Sequence, residues 1–541
     1  MKKVNKAQLR LPIFIPMATL LGLVLIVGLV SPKALYDGQN AIVSFAFDSF
    51  GWLFQLSSVI FFFLCLWAMF SKFGNIRLGG KEATPTMSLW NWFAISLCAG
   101  IATGILFWGI AEPITHFMSP PDGLGLEAGS EGAAMFSMSQ TFIHWTFLPY
   151  AMYGIAGLGI AYATFNLKLP YTVSSILYPV FGKKINGVVG DVVDNLCMLA
   201  MAGGVAAVLG VATMQISKGI EILTGLEQNK FIWVAVVGLI VVTYVISSYT
   251  GLNRGIRFLS DANTKLFIGM LLFIFILGPT NFILQIGTQG TGHFIQNFFT
   301  QTLYLSPVNG SEWPRWWPIY YWAIWLAYAP LTGMFLARIS KGRTIRQFMM
   351  VNLFMPAMFG LLWFSVYGGA AINLEMNGAG LWSAIQQGGL EVSVFAFLKN
   401  FPLSGLTSTL FLVAIYISVV TLADSMTTTV SSLSVRGAGN NALVEPPAQV
   451  KIFWGAIMSS IAIVNLIAGK AGEISGIDAT KQIATVAGFP LLFLMLLIGY
   501  SAVAMLVKYG TMELNGLSVD QTVEEQTTSQ SMVMADMAEA E

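Results

Sequence analysis

The sequence predicts an all-α polytopic membrane protein with twelve transmembrane helices. Its 541 residues are 56% hydrophobic and only 10% charged, and their mean hydropathy is +0.72. A soluble domain carries about 25% charged residues, so this chain has too few to cover a water-facing surface. Its net charge of +1 indicates no polyanionic partner. The composition therefore excludes a cytosolic enzyme, a nucleic-acid-binding protein and a disordered scaffold.

Twelve stretches are long and apolar enough to cross a bilayer, which takes about 20 residues of helix. They lie near residues 12–30, 49–70, 89–116, 135–165, 195–217, 231–250, 258–285, 316–337, 347–371, 404–433, 452–469 and 483–507. The first span follows basic residues, as a signal peptide would. It is long, however, and no small-residue cleavage site follows it before Lys33, so we expect a retained helix.

The basic residues of the loops predict the orientation. If the N-terminus is cytoplasmic, nineteen of the 27 lysines and arginines lie in the tails and even-numbered loops, and seven lie in the odd-numbered loops. Cytoplasmic loops carry an excess of Lys and Arg. We therefore expect both termini on the cytoplasmic side.

Two segments are not predicted to span. Residues 286–315 form an outer segment in which His293–Phe299 could lie as an interfacial helix. Residues 511–541 contain seven acidic and no basic residues, which is typical of a solvated tail. No phosphate-binding glycine loop is present, which argues against an ATP-driven pump.

Span 8 carries the most informative aromatic cluster. Tyr321, Trp325 and Tyr328 share one helical face, with Trp322 at its flank. An interfacial aromatic belt would explain the tryptophans before them, but Trp325 and Tyr328 lie about 12–18 Å deeper. Pro330 and Gly333 are expected to weaken the helix at that depth. These features favour a binding role for the deep rings.

Ring faces attract cations that cannot donate hydrogen bonds. A desolvated cation–π contact contributes about 2 kcal/mol or more, and quaternary ammonium is its characteristic ligand. Span 4 supplies a second set in Trp145, Tyr150 and Tyr153, with Pro149 expected to perturb the helix. From span 4 alone, ordinary helix packing explains these rings equally well.

Span 3 contains Gly100 and Gly104 at GxxxG spacing. Composition favours close helix packing here, and the alternative is a span that unwinds at mid-membrane. Intramembrane carboxylates are functional candidates, which draws attention to Glu112 and Asp424. Asp424 needs a partner, a proton or an ion, and a structural contact is weighed equally with a transport role. His116 and His144 are expected to be satisfied structural groups.

The run from Tyr321 to Arg346 resembles the signature of the betaine/choline/carnitine transporter family. Its tail reads Phe-Leu-Ala-Arg-Ile-Ser-Lys-Gly-Arg-Thr-Ile-Arg. The motif Phe-Trp-Gly-x-x-Glu-Pro at 107–113, the pair His144-Trp145, and Thr421-x-Ala-Asp-Ser match as well. The resemblance extends over essentially the whole chain.

This resemblance implies a fold of sodium-symporter-like inverted five-helix repeats preceded by two extra helices. The implied parts are a cytoplasmic tail at 1–11, two peripheral helices at 12–70, a first repeat at 89–285, the outer segment at 286–315, a second repeat at 316–507 and a cytoplasmic tail at 508–541. It also implies a homotrimer in the cytoplasmic (inner) membrane.

The resemblance further implies a secondary transporter, not an enzyme, that takes up glycine betaine, choline or carnitine by alternating access. The implied aromatic box consists of Trp145, Tyr150, Tyr153 and Trp325. Trp322 and Tyr328 would line the adjoining pathway, and the stretch Gly100, Ala102 and Gly104 would line the site from the other side. This sequence departs from the family at the edges of the box, so trimethylamine N-oxide or a sulfonium analogue stays an alternative substrate.

Sodium is the favoured coupling ion, ahead of protons or sodium-independent exchange. The oxygen ligands would be backbone carbonyls near Cys98 and Ile101 together with Thr421 and Ser425 in span 10. Exchangers of the family carry an arginine in span 7 where this chain has Asn263.

Three other classes fit the sequence less well. An intramembrane enzyme would need a nucleophile–base pair or clustered metal ligands, and the sequence has no His-Glu-x-x-His motif. A channel would need a continuous polar pore or a filter motif, whereas aromatic occlusion suits a carrier. A structural or sensory protein would bind no solute.

Overall fold

The computed structural model describes residues 9–101, 104–250, 255–435 and 446–517; the side chains of 98–101, 247–250 and 255–260 are outside this description. These residues are mainly helical. The long helices of the first half are α1 (Leu11–Val30), α2 (Pro32–Phe70), α3 (Leu89–Ile101), α4 (Gly104–Met118), α5 (Glu131–Trp145), α6 (Phe147–Phe165), α7 (Val188–Thr224) and α8 (Lys230–Thr250). Those of the second half are α9 (Gly255–Leu277), α10 (Thr280–Thr302), α11 (Arg315–Arg338), α12 (Ile345–Met376), α13 (Ser404–Leu433), α14 (Ala448–Ala471) and α15 (Gly476–Leu514).

Each predicted span falls on one or two of these helices. Within the described ranges, eight helices are long and apolar enough to cross a membrane, or nine if the bent pair α9 and α10 is one span. The described residues of span 3 lie in α3 and α4, and span 4 is divided between α5 and α6. The all-α polytopic fold is confirmed, and the count of twelve crossings stays a prediction.

Apolar side chains on the outer helices face away from the protein. Ile26 of α1 is 58% exposed and Phe231 of α8 is 74% exposed. By contrast, α6, α11 and much of α7 are buried along their length. Exposed aliphatic surface around a buried helical centre is what a bilayer accommodates.

Span 4 is interrupted in its middle, as Pro149 predicts. Thr146 separates α5 from α6 and has non-helical angles of φ −113° and ψ −109°. Pro149 then lies in the first turn of α6, where its missing N–H leaves no helical hydrogen bond unmade. The interruption makes Trp145 the last residue of α5.

The expected weakening of span 8 is wrong. The α-helical part of α11 runs without a break from Tyr320 to Arg338, through Pro330. Gly333 serves close packing instead, because a Cβ atom there would lie 2.7 Å from the backbone nitrogen of Gly157. Prolines are tolerated in membrane helices when neighbouring groups compensate for the lost hydrogen bond.

The outer segment contains a helix, α10, that begins at Thr280, earlier than the sequence predicts. It is bent by 109° from the described part of α9, and Gly278 and Pro279 lie at the bend. His293 Nδ1 lies 2.9 Å from the hydroxyl of Ser139. The helix thus packs across the outer part of α5.

The basic tail of the signature joins two loops. The N–H of Leu78 donates to the carbonyl of Arg343 at 2.9 Å, and the N–H of Gly342 donates back to Leu78 at 2.8 Å. Gly342 has φ +82°, and a Cβ atom there would lie 2.2 Å from the carbonyl carbon of Thr84. The guanidinium of Arg343 lies over Trp92 at 4.8 Å. This part of the motif is therefore structural.

Candidate functional site

A cavity lies where helices from both halves of the chain meet. About 710 Å³ in this cavity and at its open mouth is not filled by atoms. Half of its lining residues are aromatic. The lining consists of Gly104, Trp108, Trp145, Tyr153, Ala207, Val208, Val211, Tyr320, Tyr321, Ile324, Trp325, Tyr328, Leu422 and Thr480.

Three rings form what we call the aromatic corner: Trp145, Tyr153 and Trp325. The centroids of Trp145 and Trp325 are 5.1 Å apart with planes at 80°, and those of Tyr153 and Trp325 are 6.3 Å apart with planes at 87°. Rings at right angles form adjoining walls, whereas parallel rings would form a stack. The corner therefore suits a rounded group better than a flat one.

A buried carboxylate positions two of the cavity rings. Glu112 Oε2 accepts hydrogen bonds from Trp145 Nε1 and from the Tyr321 hydroxyl, both at 2.6 Å. Its Oε1 lies 2.5 Å from His144 Nδ1 and 3.3 Å from His116 Nε2. These five residues are the Glu112 cluster. Hydrogen bonds to an ionised acceptor are about twice as strong as neutral ones, so the cluster fixes its rings firmly.

The same cluster also orients the ring of Trp325, through the backbone of His144. The side-chain nitrogen of Gln140 lies 2.8 Å from His144 Nε2, which assigns the ring proton of a neutral histidine to Nδ1, facing Glu112. The backbone carbonyl of His144 accepts from Trp325 Nε1 at 3.2 Å. Trp325 is therefore held by the same short segment that carries Trp145.

The Glu112 cluster has the geometry of a metal site, but the carboxylate of Glu112 is already engaged by hydrogen-bond donors. One ligand atom from each of Glu112, His116 and His144 lies within 4.8 Å of the others. Both oxygens of Glu112 accept from N–H or O–H groups, however. We therefore assign it as a hydrogen-bonding cluster. Both ring nitrogens of His144 are engaged, as expected, whereas the buried Nδ1 of His116 has no hydrogen-bond partner among the described residues.

Several predicted site residues line the cavity: Trp145, Tyr153, Trp325, Tyr328 and Gly104. Gly104 lies directly against the corner, since a Cβ atom there would be 2.6 Å from Trp145 Cη2. Tyr321, Trp325 and Tyr328 all face the cavity, as helical periodicity predicts.

Trp322 and Tyr150 do not line the cavity. The indole N–H of Trp322 donates instead to the side-chain oxygen of Gln55 on α2, which turns the ring away from the cavity. Tyr150 is buried behind the corner, with its ring 6.5 Å from that of Tyr153. Trp322 thus forms a contact between α2 and α11, and the pathway role predicted for it stays a prediction.

The rest of the predicted glycine stretch is only partly described. Gly100 lies in the last turn of α3, and its surroundings are outside the description. Ala102 lies outside the described residues. The contribution of this stretch to the site stays a prediction.

Part of the lining could not be predicted from the sequence. Trp108 and Tyr320 add two aromatic rings to the cavity. Leu422 and Thr480 gave no local signal, because each reaches the cavity only through the packing of α13 and α15.

The predicted ion ligands of α13 are placed on one face of that helix. The hydroxyls of Thr421 and Ser425 donate to the carbonyls four residues earlier, at 2.7 and 2.9 Å. Each hydroxyl oxygen can still offer a lone pair to a cation. Cys98 and Ile101 lie in the last turn of α3, with side chains outside the description. Asp424 is buried and engaged by another residue.

Comparison with known proteins identifies related chains. A family model described as betaine/carnitine/choline family transporter matches residues 12–511. The chain is 34% identical over 505 residues to the ectoine/hydroxyectoine transporter of Virgibacillus pantothenticus. The aligned region covers 93% of this chain and 98% of that relative. It is also 34% identical over 473 residues to a glycine betaine transporter of Bacillus subtilis, covering 87% of this chain and 89% of the relative.

We predict that Glu112→Gln destabilises the protein by about 2 kcal/mol or more. The new amide N–H₂ must face either Trp145 and Tyr321 or His144, all of which are donors. The free energy of unfolding in detergent, followed by intrinsic tryptophan fluorescence, measures this loss. Glu127→Gln, in the loop between α4 and α5 where the side chain is exposed, is the control and should leave stability unchanged. Equal stability of the two variants would contradict the assigned role of Glu112.

Proposed function

Because the chain belongs to the betaine/carnitine/choline family of transporters, we propose that it takes up a trimethylammonium solute, such as glycine betaine, choline or carnitine, by alternating access. The observation that carries this proposal is the aromatic corner of Trp145, Tyr153 and Trp325. Their ring centroids lie 5.1 to 6.3 Å apart at a buried site. No charged side chain is among the described residues that line the cavity.

The lining favours a methylated cation over a primary ammonium. A primary ammonium has three N–H donors that would need acceptors after losing water. A trimethylammonium group has none, and its diffuse charge is attracted by ring faces. Trimethylamine N-oxide, a sulfonium analogue and ectoine, which the Virgibacillus relative is named for, are further candidates.

We propose sodium as the coupling ion. Thr421 and Ser425 would supply hydroxyl oxygens from α13, and backbone carbonyls near Cys98 and Ile101 would complete the set. Oxygen ligands of this kind suit hard cations. Asn263, near these residues, donates to the hydroxyl of Ser418 at 2.8 Å and brings no fixed positive charge. Sodium-independent exchange stays the alternative.

The cellular arrangement follows the sequence prediction. We propose a homotrimer in the cytoplasmic (inner) membrane with both termini inside. The helices at 12–70 would be peripheral to the inverted repeats at 89–285 and 316–507. The distribution of Lys and Arg among the loops supports this orientation.

We predict that Trp325→Leu weakens binding of glycine betaine about 30-fold, the equivalent of about 2 kcal/mol for one desolvated cation–π contact. Trp325→Phe keeps a ring face and should retain most of the affinity. Calorimetric titration of purified protein measures the dissociation constants. Trp52→Leu, at a site where the indole is 54% exposed, is the control and should bind as the native protein does. An unchanged affinity in Trp325→Leu would refute the aromatic site.

Sodium coupling has a separate test. We predict that Thr421→Val and Ser425→Ala each raise the sodium concentration needed for half-maximal solute binding about tenfold, because each removes one oxygen ligand from a charged group. Fluorescence titration of solute at a series of sodium concentrations measures this shift. Thr407→Val is the matched control, since Thr407 is buried on the same helix and its hydroxyl also contacts the carbonyl four residues earlier. Binding that does not depend on sodium in the native protein would favour exchange.

A further inference from the structure

One charged side chain lies beside the cavity without belonging to the Glu112 cluster. Lys481, in the second turn of α15, is only 5% exposed. Its ammonium nitrogen lies 4.9 Å from the ring centroid of Trp317, 5.3 Å from Tyr320 and 5.7 Å from Trp108. Tyr320 and Trp108 both line the cavity, as does Thr480, the residue before the lysine. The protein therefore places its own cation at the edge of the aromatic site.

The ammonium of Lys481 is only loosely neutralised. Its nearest carboxylate is Asp478 Oδ1 at 3.6 Å, and that side chain is 46% exposed. Among the described residues none accepts a hydrogen bond from this nitrogen, so ring faces hold it and its N–H groups stay available. The positive charge is thus weakly screened on the side that faces the rings.

A continuous series of rings connects this charge to the aromatic corner. The centroid of Trp108 lies 5.9 Å from that of Tyr321, which lies 6.1 Å from that of Trp325. The carboxylate of Glu112 is engaged by its four donors, so it is fixed in place for every solute. The charge of Lys481 acts differently on solutes that differ in net charge.

We propose that Lys481 is a specificity-determining residue that selects zwitterionic methylammonium carboxylates over methylated solutes with a net positive charge. This inference rests on the proposed function of the aromatic corner. A net cation in the cavity is repelled by the lysine, whereas a zwitterion directs its carboxylate toward the lysine and its methylated head toward the rings. Over the distance that a few aromatic rings span in a protein interior, one unit charge changes the binding constant of a charged solute by about tenfold.

Glycine betaine and choline test the proposal because both carry the trimethylammonium head and only glycine betaine carries a carboxylate. Their dissociation constants are measured by calorimetry with the native protein and with Lys481→Met, Lys481→Gln and Lys481→Arg. We expect the preference for glycine betaine over choline to fall about tenfold in the methionine and glutamine variants and to persist in the arginine variant. Lys470→Met, in the last turn of α14 where the side chain is exposed, should keep the native ratio.

The outcomes separate this inference from the function on which it depends. If the native protein binds both solutes and their ratio is the same in Lys481→Gln, the role of Lys481 is refuted and the aromatic site stands. If the native protein binds neither solute, the proposed function itself fails. If Lys481→Met does not fold, the comparison of Lys481→Gln with Lys481→Arg decides, because these two variants differ in charge while both keep a polar end.

Discussion

The candidate site depends on the hydrogen bonds that neighbouring side chains donate to the carboxylate of Glu112. This carboxylate lies fully buried on α4 and gathers donors from α5 and α11, so one side chain joins three helices and orients two rings. A buried charge is tolerated only when it is hydrogen-bonded, and here the bonds from Trp145 and Tyr321 also position two walls of the cavity. The aromatic corner is therefore built indirectly: rings that line the cavity are held by Glu112, which does not line it.

The backbone makes this arrangement possible by being interrupted on one side and continuous on the other. Span 4 breaks at Thr146, immediately after Trp145, and exposes the carbonyl of His144 to Trp325. The facing helix, α11, stays unbroken past Pro330, so Tyr321, Trp325 and Tyr328 keep a common face. The interrupted span and the continuous helix thus meet at the ring pair Trp145 and Trp325. Discontinuous transmembrane helices typically form the substrate sites of secondary transporters.

Local pattern was enough to predict the helices and the aromatic face, because bilayer spanning and helical periodicity are properties of short segments. The break in span 4 was foreseen for the same reason, through Pro149. The direction of Trp322 could not be foreseen, since it depends on Gln55, a distant residue on α2. Lys481 was counted as an outer-loop residue, and only the packing of α15 against Trp108 and Trp317 brings it to the cavity. Long-range contacts of this kind leave no periodic signal in the sequence.

The central claim is that buried ring faces hold a permanently charged, methylated group in place of water. The most direct measurement compares glycine betaine with 3,3-dimethylbutyrate, its neutral-headed analogue in which carbon replaces the quaternary nitrogen. Shape, size and carboxylate are nearly the same, so the difference in dissociation constant isolates the charge on the head. The account predicts that glycine betaine binds about 30-fold or more tightly than the carbon analogue. Equal affinities would show that the cavity recognises only shape, and would contradict it.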